Sequence, residues 1–174
     1  LTGITPALGV ESQKLIIDAL QRAKDAGVRT SFDVNYRRRL WQAAEAASTI
    51  TPLISSADLL ICGIADARQL WGMKGNHEVV LFRLADMNSS GDVVLTLGSE
   101  GALAVIGGKT TSVEPVSAQI VDELGAGDAF AAGLLDGWLD GSLEDGLHRG
   151  VALAAVKLGQ HGDMVALTRE ALAR

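Results

Sequence analysis

Asp122-Glu123-Leu124-Gly125-Ala126-Gly127-Asp128, followed by the small-residue run Ala129-Phe130-Ala131-Ala132-Gly133-Leu134-Leu135, is the stretch on which the reading of this chain turns. Glycine tolerates positive φ and carries no side-chain bulk, so Gly125-Ala126-Gly127 can bring main-chain N–H groups close to a ligand. The small-residue run predicts a helix over 126–139, whose first N–H groups lack intrahelical partners and whose N-terminus carries partial positive charge. A phosphate suits that position. Asp128 then sets a carboxylate beside it, with one evident use: accepting a proton from a hydroxyl about to attack phosphorus. The same spacing also serves a plain strand-to-helix turn, with Asp128 as a first-turn acid that complements the helix dipole.

Outward from this block the chain alternates between two periodicities. Apolar residues at Leu15, Ile16, Ala19, Leu20 and Ala23 predict a helix over 11–26 that Gly27 ends. Strands are expected over 28–34, 58–62 and 92–97, separated by helices over 41–50, 65–71 and 77–86, with Pro52 as a new helix start. Residues 102–106 and 110–116 predict an antiparallel pair turned by Gly107-Gly108-Lys109, and a last helix runs over 143–158. Strands separated by helices of about ten residues imply an α/β fold with a mainly parallel sheet, ligands gathering at the carboxyl ends of its strands. No repeat or linker interrupts the pattern, so the expectation is a single domain over residues 1–174. The chain opens on Leu1 and enters this architecture part-way.

Composition bounds the function. The 174 residues are 48% hydrophobic and only 4% aromatic, enough for a core of aliphatic and alanine side chains. No apolar run approaches the roughly 18 residues that cross a bilayer, and the start lacks a charged-then-apolar secretory pattern, which leads to the expectation of a cytoplasmic protein without a membrane partner. The net charge of −6 argues against a nucleic-acid surface, so a nucleotide would be held by local features. The single cysteine, Cys62, follows Leu59-Leu60-Ile61 and reads as a buried strand residue. His148 and His161 have no metal-ligand spacing with it. No strand is followed by Gly-x-Gly-x-x-Gly with an acid about 20 residues on, which disfavours a dinucleotide-binding oxidoreductase.

The Gly-Ala-Gly-Asp block resembles the C-terminal signature of the ribokinase-like, or PfkB, family of carbohydrate kinases, whose usual form is Asp-Thr-x-Gly-Ala-Gly-Asp and then a Phe-x-x-Gly helix. Glu123 stands where threonine is usual. A second block, Ser31-Phe32-Asp33-Val34-Asn35-Tyr36-Arg37-Arg38-Arg39-Leu40-Trp41, is similar to the Phe-Asp-x-Asn-x-Arg-x-x-Leu-Trp segment of the 2-keto-3-deoxygluconate kinases within that family. The physics suits an acidic sugar: Asp33 and Asn35 at a strand end can bond hydroxyls, and the Arg37 guanidinium can hold a carboxylate bidentately. Arg38 and Arg39 read as solvated.

The resemblance implies a three-layer αβα sandwich, here without the N-terminal part and lid of the family. It implies transfer of the γ-phosphoryl of ATP to a primary hydroxyl of 2-keto-3-deoxygluconate, with Asp128 as base and Gly125, Ala126 and Gly127 presenting N–H groups. Ribose or fructose are alternative substrates, and a truncated, non-catalytic nucleotide-binding module is an alternative of another class. Thr96, Gly98 and Gly101, in Thr96-Leu97-Gly98-Ser99-Glu100-Gly101, match a segment that lies against the nucleotide, although a β-turn would also explain both glycines. Gly63-Ile64-Ala65-Asp66 falls where the family often carries Asn-x-x-Glu, so Asp66 is the residue implied for Mg²⁺, with helix capping as the bland reading. Asp163, after Gly162, would touch substrate or be a turn acid. The partners implied are a small sugar acid and ATP, together with a possible homo-oligomer or a second chain carrying the N-terminal half.

Overall fold

A computed structural model describes residues 1–88, 91–165, 167 and 168. The chain divides into two compact units: Leu1–Leu97 with Leu103–Thr110, and Gly98–Ala102 with the chain from Thr111 onward.

The first unit opens with a 3₁₀ turn, Thr5–Leu8, and helix α1, Val10–Asp25. Strand β1 is Ser31–Asp33, shorter than the pattern of 28–34 predicts. Val28 fails to join it because its N–H turns back to the Ala23 carbonyl at the end of α1. The Asp58 carboxylate then takes both the N–H and the hydroxyl of Thr30, at 2.7 and 3.0 Å. Helix α2, Ala43–Ile54, runs through Pro52 instead of restarting there. An interior proline removes one helical bond and costs about 3 kcal/mol. Leu53 and Ile54, both buried immediately after it, offset that by removing two large side chains from water.

Strand β2, Leu59–Gly63, lies between β1 and β3, Asp92–Thr96, parallel to both. Leu59, Leu60 and Cys62 have no exposed surface, as a strand covered on both faces requires. Helices α3, Ile64–Trp71, and α4, His77–Met87, occupy the β2-to-β3 crossover. Asn88 locks the exit from α4: its buried amide donates to the carbonyls of Ile54 and Ala57, both at 2.9 Å, and its Oδ1 accepts the Gly91 N–H. Strands β4, Ala102–Ile106, and β5, Lys109–Val113, complete a five-stranded sheet in the order β1-β2-β3-β4-β5. Gly107 and Gly108, with φ of +54° and +79°, make the two-residue link that suits a hairpin. Strand β5 stops short of the expected Val116, since Pro115 has no N–H to give a ladder.

The second unit is built on α5, Ala126–Leu139, and α6, Leu143–Leu158, both as the sequence predicts. Ser142 caps α6 by accepting the Asp145 N–H at 3.1 Å. The two helices meet almost backbone to backbone. A Cβ at Gly133 would lie 2.6 Å from the Arg149 carbonyl oxygen, one at Gly137 would strike Gly146, and one at Gly146 would strike the Leu134 carbonyl oxygen. Arg149 closes the same interface with ion pairs to Asp136 (2.6 Å) and Asp140 (2.7 Å). Phe130, Leu134, Trp138, Leu143, Leu147 and Val151 fill the space between the helices.

Helix propensity alone favours alanine over glycine by about 1 kcal/mol. At Gly146 the clash with the Leu134 carbonyl outweighs it, because forcing a methyl into a filled contact costs about 1 to 3 kcal/mol. Gly146→Ala is therefore expected to lower the melting temperature, whereas Gly127→Ala, whose methyl meets nothing within 4 Å, leaves it unchanged or higher. Calorimetric melts of the two variants beside the parent chain check this.

Candidate active site

In the second unit the decisive stretch forms a tight entry to α5. Gly125 is the N-cap in the left-handed region, φ +83° and ψ 0°, which the absence of a Cβ makes inexpensive. Space demands glycine there too, since a Cβ would lie 2.7 Å from the Asp163 carbonyl oxygen. The first helical bond runs from the Ala129 N–H to the Gly125 carbonyl, 2.9 Å, so the N–H groups of Gly127 and Asp128 precede the helical ladder. Gly127 and Asp128 are both exposed, and Asp128 is the acid of the first turn. This arrangement offers main-chain donors and a solvated carboxylate side by side. Asp163, also exposed, has its main chain against Gly125.

Sequence reasoning missed what holds this loop. Each Asp122 carboxylate oxygen accepts one N–H, Oδ1 from Leu124 at 3.0 Å and Oδ2 from Gly162 at 3.0 Å. These two bonds, with the nearby Lys157 and His161, hold the Asp122 carboxyl below its ordinary pKa. Lys157 donates from Nζ to the Asp122 carbonyl at 2.9 Å and the Gln160 carbonyl at 3.2 Å. One signal was available: 143, 147, 150, 154 and 157 follow the three-and-four spacing of an apolar helical stripe, and a lysine sits at its end.

In the first unit the carboxyl ends of β1, β2 and β3 gather Asp33, Asn35, Asp66 and Thr96. Asn35 is the one described residue other than glycine with positive φ, at +40°. Asparagine is among the few side chains that enter this region readily, and such strain concentrates at functional sites. Tyr36 fixes the adjoining turn. Its N–H donates to Asp66 Oδ2 at 3.0 Å, and its hydroxyl donates to the Trp41 carbonyl at 3.1 Å. Arg37 is exposed, with Nη1 donating to the Tyr36 carbonyl at 3.3 Å.

Gly63 pairs with Thr96 in the sheet, and a Cβ on Gly63 would lie 3.7 Å from Thr96 Oγ1 and 4.0 Å from Asp66 Oδ2. Partial burial pushes the Asp66 carboxyl above its ordinary pKa, against the Tyr36 N–H and Arg37, which pull it down. Among the described residues no three His, Cys, Asp or Glu side chains gather as a metal cluster. A single carboxylate still suits Mg²⁺, which keeps several waters and takes further ligands from substrate phosphates.

Gly98 and Gly101 lie in the second unit, where a 3₁₀ turn, Gly98–Glu100, follows β3. A Cβ at Gly101 would strike the Val113 carbonyl oxygen, so packing alone demands a glycine there. A groove of about 410 Å³ between α1 and α2, lined by Gln13, Ile17, Leu20, Thr49, Pro52 and Leu53, contains none of these residues. Among the described residues no helix is long and apolar enough to cross a membrane.

Comparison with known proteins gives consistent matches. The family model described as pfkB family carbohydrate kinase matches residues 6–169. A 2-dehydro-3-deoxygluconokinase of Bacillus subtilis is 37% identical, over 99% of this chain and 54% of its own length. A 2-dehydro-3-deoxygalactonokinase of Haloferax volcanii is 34% identical, over 99% of this chain and 55% of its own. The crystal structure of 2-dehydro-3-deoxygluconokinase from Thermotoga maritima superposes with a TM-score of 0.88 at 29% identity, over 99% of this chain and 57% of that one. The chain thus spans about half the length of the curated relatives it matches.

Asp66 and Asp122 are shifted in opposite directions, and the sign of each sets a different pH dependence. With its native pKa raised, Asp66 keeps a proton that the unfolded chain has released, so stability falls as pH rises from about 4 through that native pKa. With its native pKa lowered, Asp122 contributes stability above about 4 that is lost as pH falls through its native pKa. Urea unfolding from acid to neutral pH is expected to show a weaker neutral-side decline for Asp66→Asn and a weaker acid-side loss for Asp122→Asn.

Proposed function

The chain belongs to the pfkB family of carbohydrate kinases, and from that premise we propose that it serves phosphoryl transfer from ATP to the primary hydroxyl of 2-keto-3-deoxygluconate, giving the 6-phosphate. The observation that carries this reading is the entry to α5, where the exposed Asp128 carboxylate stands beside N–H groups outside the helical ladder.

Each unit brings its own chemistry to the proposal. Asp128 accepts the proton of the sugar hydroxyl as its oxygen attacks the γ-phosphorus; the oxygen–phosphorus bond forms as the bond to the ADP leaving group breaks. Gly125 and Gly127 present main-chain dipoles to the charge that develops on the transferring group, and Ala126 joins them by releasing its N–H from the Glu123 carbonyl, to which it donates at 3.2 Å. Asp163 meets substrate in this reading, which its main-chain approach to Gly125 supports. In the first unit Asp33 and Asn35 hold sugar hydroxyls, and Arg37 holds the carboxylate through a two-pronged charge-assisted contact. Thr96, Gly98 and Gly101 lie along the nucleotide, and Asp66 assists Mg²⁺, which when bound draws off charge from the phosphate oxygens. ATP and the sugar acid are the small-molecule partners, and the setting is cytoplasmic.

A second substrate reading, the galacto-configured acid, is favoured by the Haloferax relative. It needs no change in the roles of Asp128 or Arg37, since both acids carry the same carboxylate and primary hydroxyl.

Turnover with ATP and each keto acid, using ribose and fructose as controls, tests the assignment. Asp128→Asn is expected to lower kcat about 10² to 10⁴ fold, the range for a positioned base, with Mg·ATP binding largely kept. Near-normal turnover by that variant would remove Asp128 from its role. Arg37→Met is expected to raise KM for the acid about tenfold or more while leaving ribose or fructose unaffected, because methionine cannot make the hydrogen bonds that a guanidinium gives to a charged carboxylate.

A further inference from the structure

Lys157 is the one charged side chain among the described buried residues, with no exposed surface. A buried ammonium is tolerated only when its protons are placed on acceptors. Two are placed on carbonyl oxygens, Asp122 at 2.9 Å and Gln160 at 3.2 Å. Those carbonyls belong to segments on either side of α5 and α6: the run entering the glycine loop and the turn leaving α6. The same two segments are joined by three further bonds. The N–H groups of Val121 and Asp122 both reach the Leu158 carbonyl, at 2.7 and 3.3 Å, and the Gly162 N–H reaches Asp122 Oδ2. Beyond them Gly125 lies against the Asp163 main chain.

We propose that Lys157 is the positioning residue of the glycine loop, a built-in monovalent cation whose carbonyl contacts set the approach of Gly125–Gly127 to Asp163. This role rests on the reading of that loop as a phosphate site, and Lys157 itself touches neither phosphate nor sugar. Without the ammonium, the Asp122 carbonyl ahead of α5 and the Gln160 carbonyl just after α6 face each other without a proton between them, and the negative end of the α6 dipole is uncompensated. The peptide planes of Asp122 and Gln160 would then turn away. The Asp122 carboxylate would lose its aim at Leu124 and Gly162, and the loop would no longer hold its donors in one arrangement. Shape alone does not explain a lysine here, since methionine would fill a similar volume without a charge to bury.

The test is Lys157→Ala, which leaves a hole rimmed by carbonyl oxygens that methylammonium can enter and tetramethylammonium, having no N–H, cannot satisfy. Three quantities are read with and without each ion: the amide resonances of Leu124 and Gly162, Mg·ATP affinity by calorimetry, and the melting temperature. The expected result is displaced amide resonances and affinity weakened about ten- to a hundredfold, as for loss of hydrogen bonds to a charged group. Methylammonium should restore both saturably and tetramethylammonium should not. Lys157→Arg, which keeps a cation, should fall between parent and alanine variant. Unmoved resonances with parental affinity, or a loss that both ions relieve equally, would overturn the assignment. If the alanine variant does not fold, folding regained with methylammonium alone supports the clamp, and folding indifferent to it counts against. Failure of the parent chain to bind Mg·ATP would strike the phosphate reading, while the resonances would still decide the clamp.

Discussion

Main chain pressed against main chain sets the dimensions of both units. In the first, a Cβ at Gly3 would strike the Val34 carbonyl oxygen, and one at Gly91 would strike Asp58. The first contact holds the opening segment beside the end of β1, where Thr2 bridges Asp33. The second starts β3 in register with β2, Leu59 opposite Asp92, and so fixes which residues emerge at the far ends of the strands. In the second unit, Gly133, Gly137 and Gly146 let α5 and α6 close on each other. That approach brings the last turn of α6, with Lys157, up to the chain entering α5. The geometry of both units therefore depends on positions that carry no side chain.

Charge is handled differently in the two units. Asp122 is wrapped in N–H donors with a cation nearby, which favours its ionised form. Asp66 is half-buried with one N–H on one oxygen, and burial outweighs both that bond and Arg37. The contrast follows from hydrogen-bond supply: two donors aimed at a carboxylate exceed the desolvation of an open site, whereas one donor does not make up for partial removal from water. A structural acid that must always be an anion is best built as Asp122 is. An acid with a single donor and partial burial is left less committed, as Asp66 is.

Much of this was legible in the residues because local chemistry and burial agreed. Helices α5 and α6 span the ranges 126–139 and 143–158 that their sequence patterns predict, and Gly125 and Ser142 stand at their N-caps in the structure. The glycine loop was legible because its backbone requirements are local. Strand β1 was overdrawn because Val28 and Arg29 look like strand residues, while the competing interactions, a helix carbonyl and the Asp58 carboxylate, come from elsewhere in the fold. Pro52 misled for a similar reason, since proline signals a boundary unless later residues are buried enough to hold the helix together. The Asp122–Gly162 bond spans forty residues and left no trace in spacing. Lys157 did leave one, a cation on an apolar stripe, but its acceptors are carbonyls, which every residue carries.

The placement of Cys62 has a practical side. Its thiol has no exposed surface, and burial together with the carboxylates of Asp66 and Asp33 pushes its pKa well up. Thiolate is the reactive form, so the folded first unit keeps this sulfur silent toward alkylating agents. Unfolding removes both protections at once. The only cysteine in the chain is thereby a built-in clock: the rate at which it is labelled records how often the sheet between β1 and β3 comes apart.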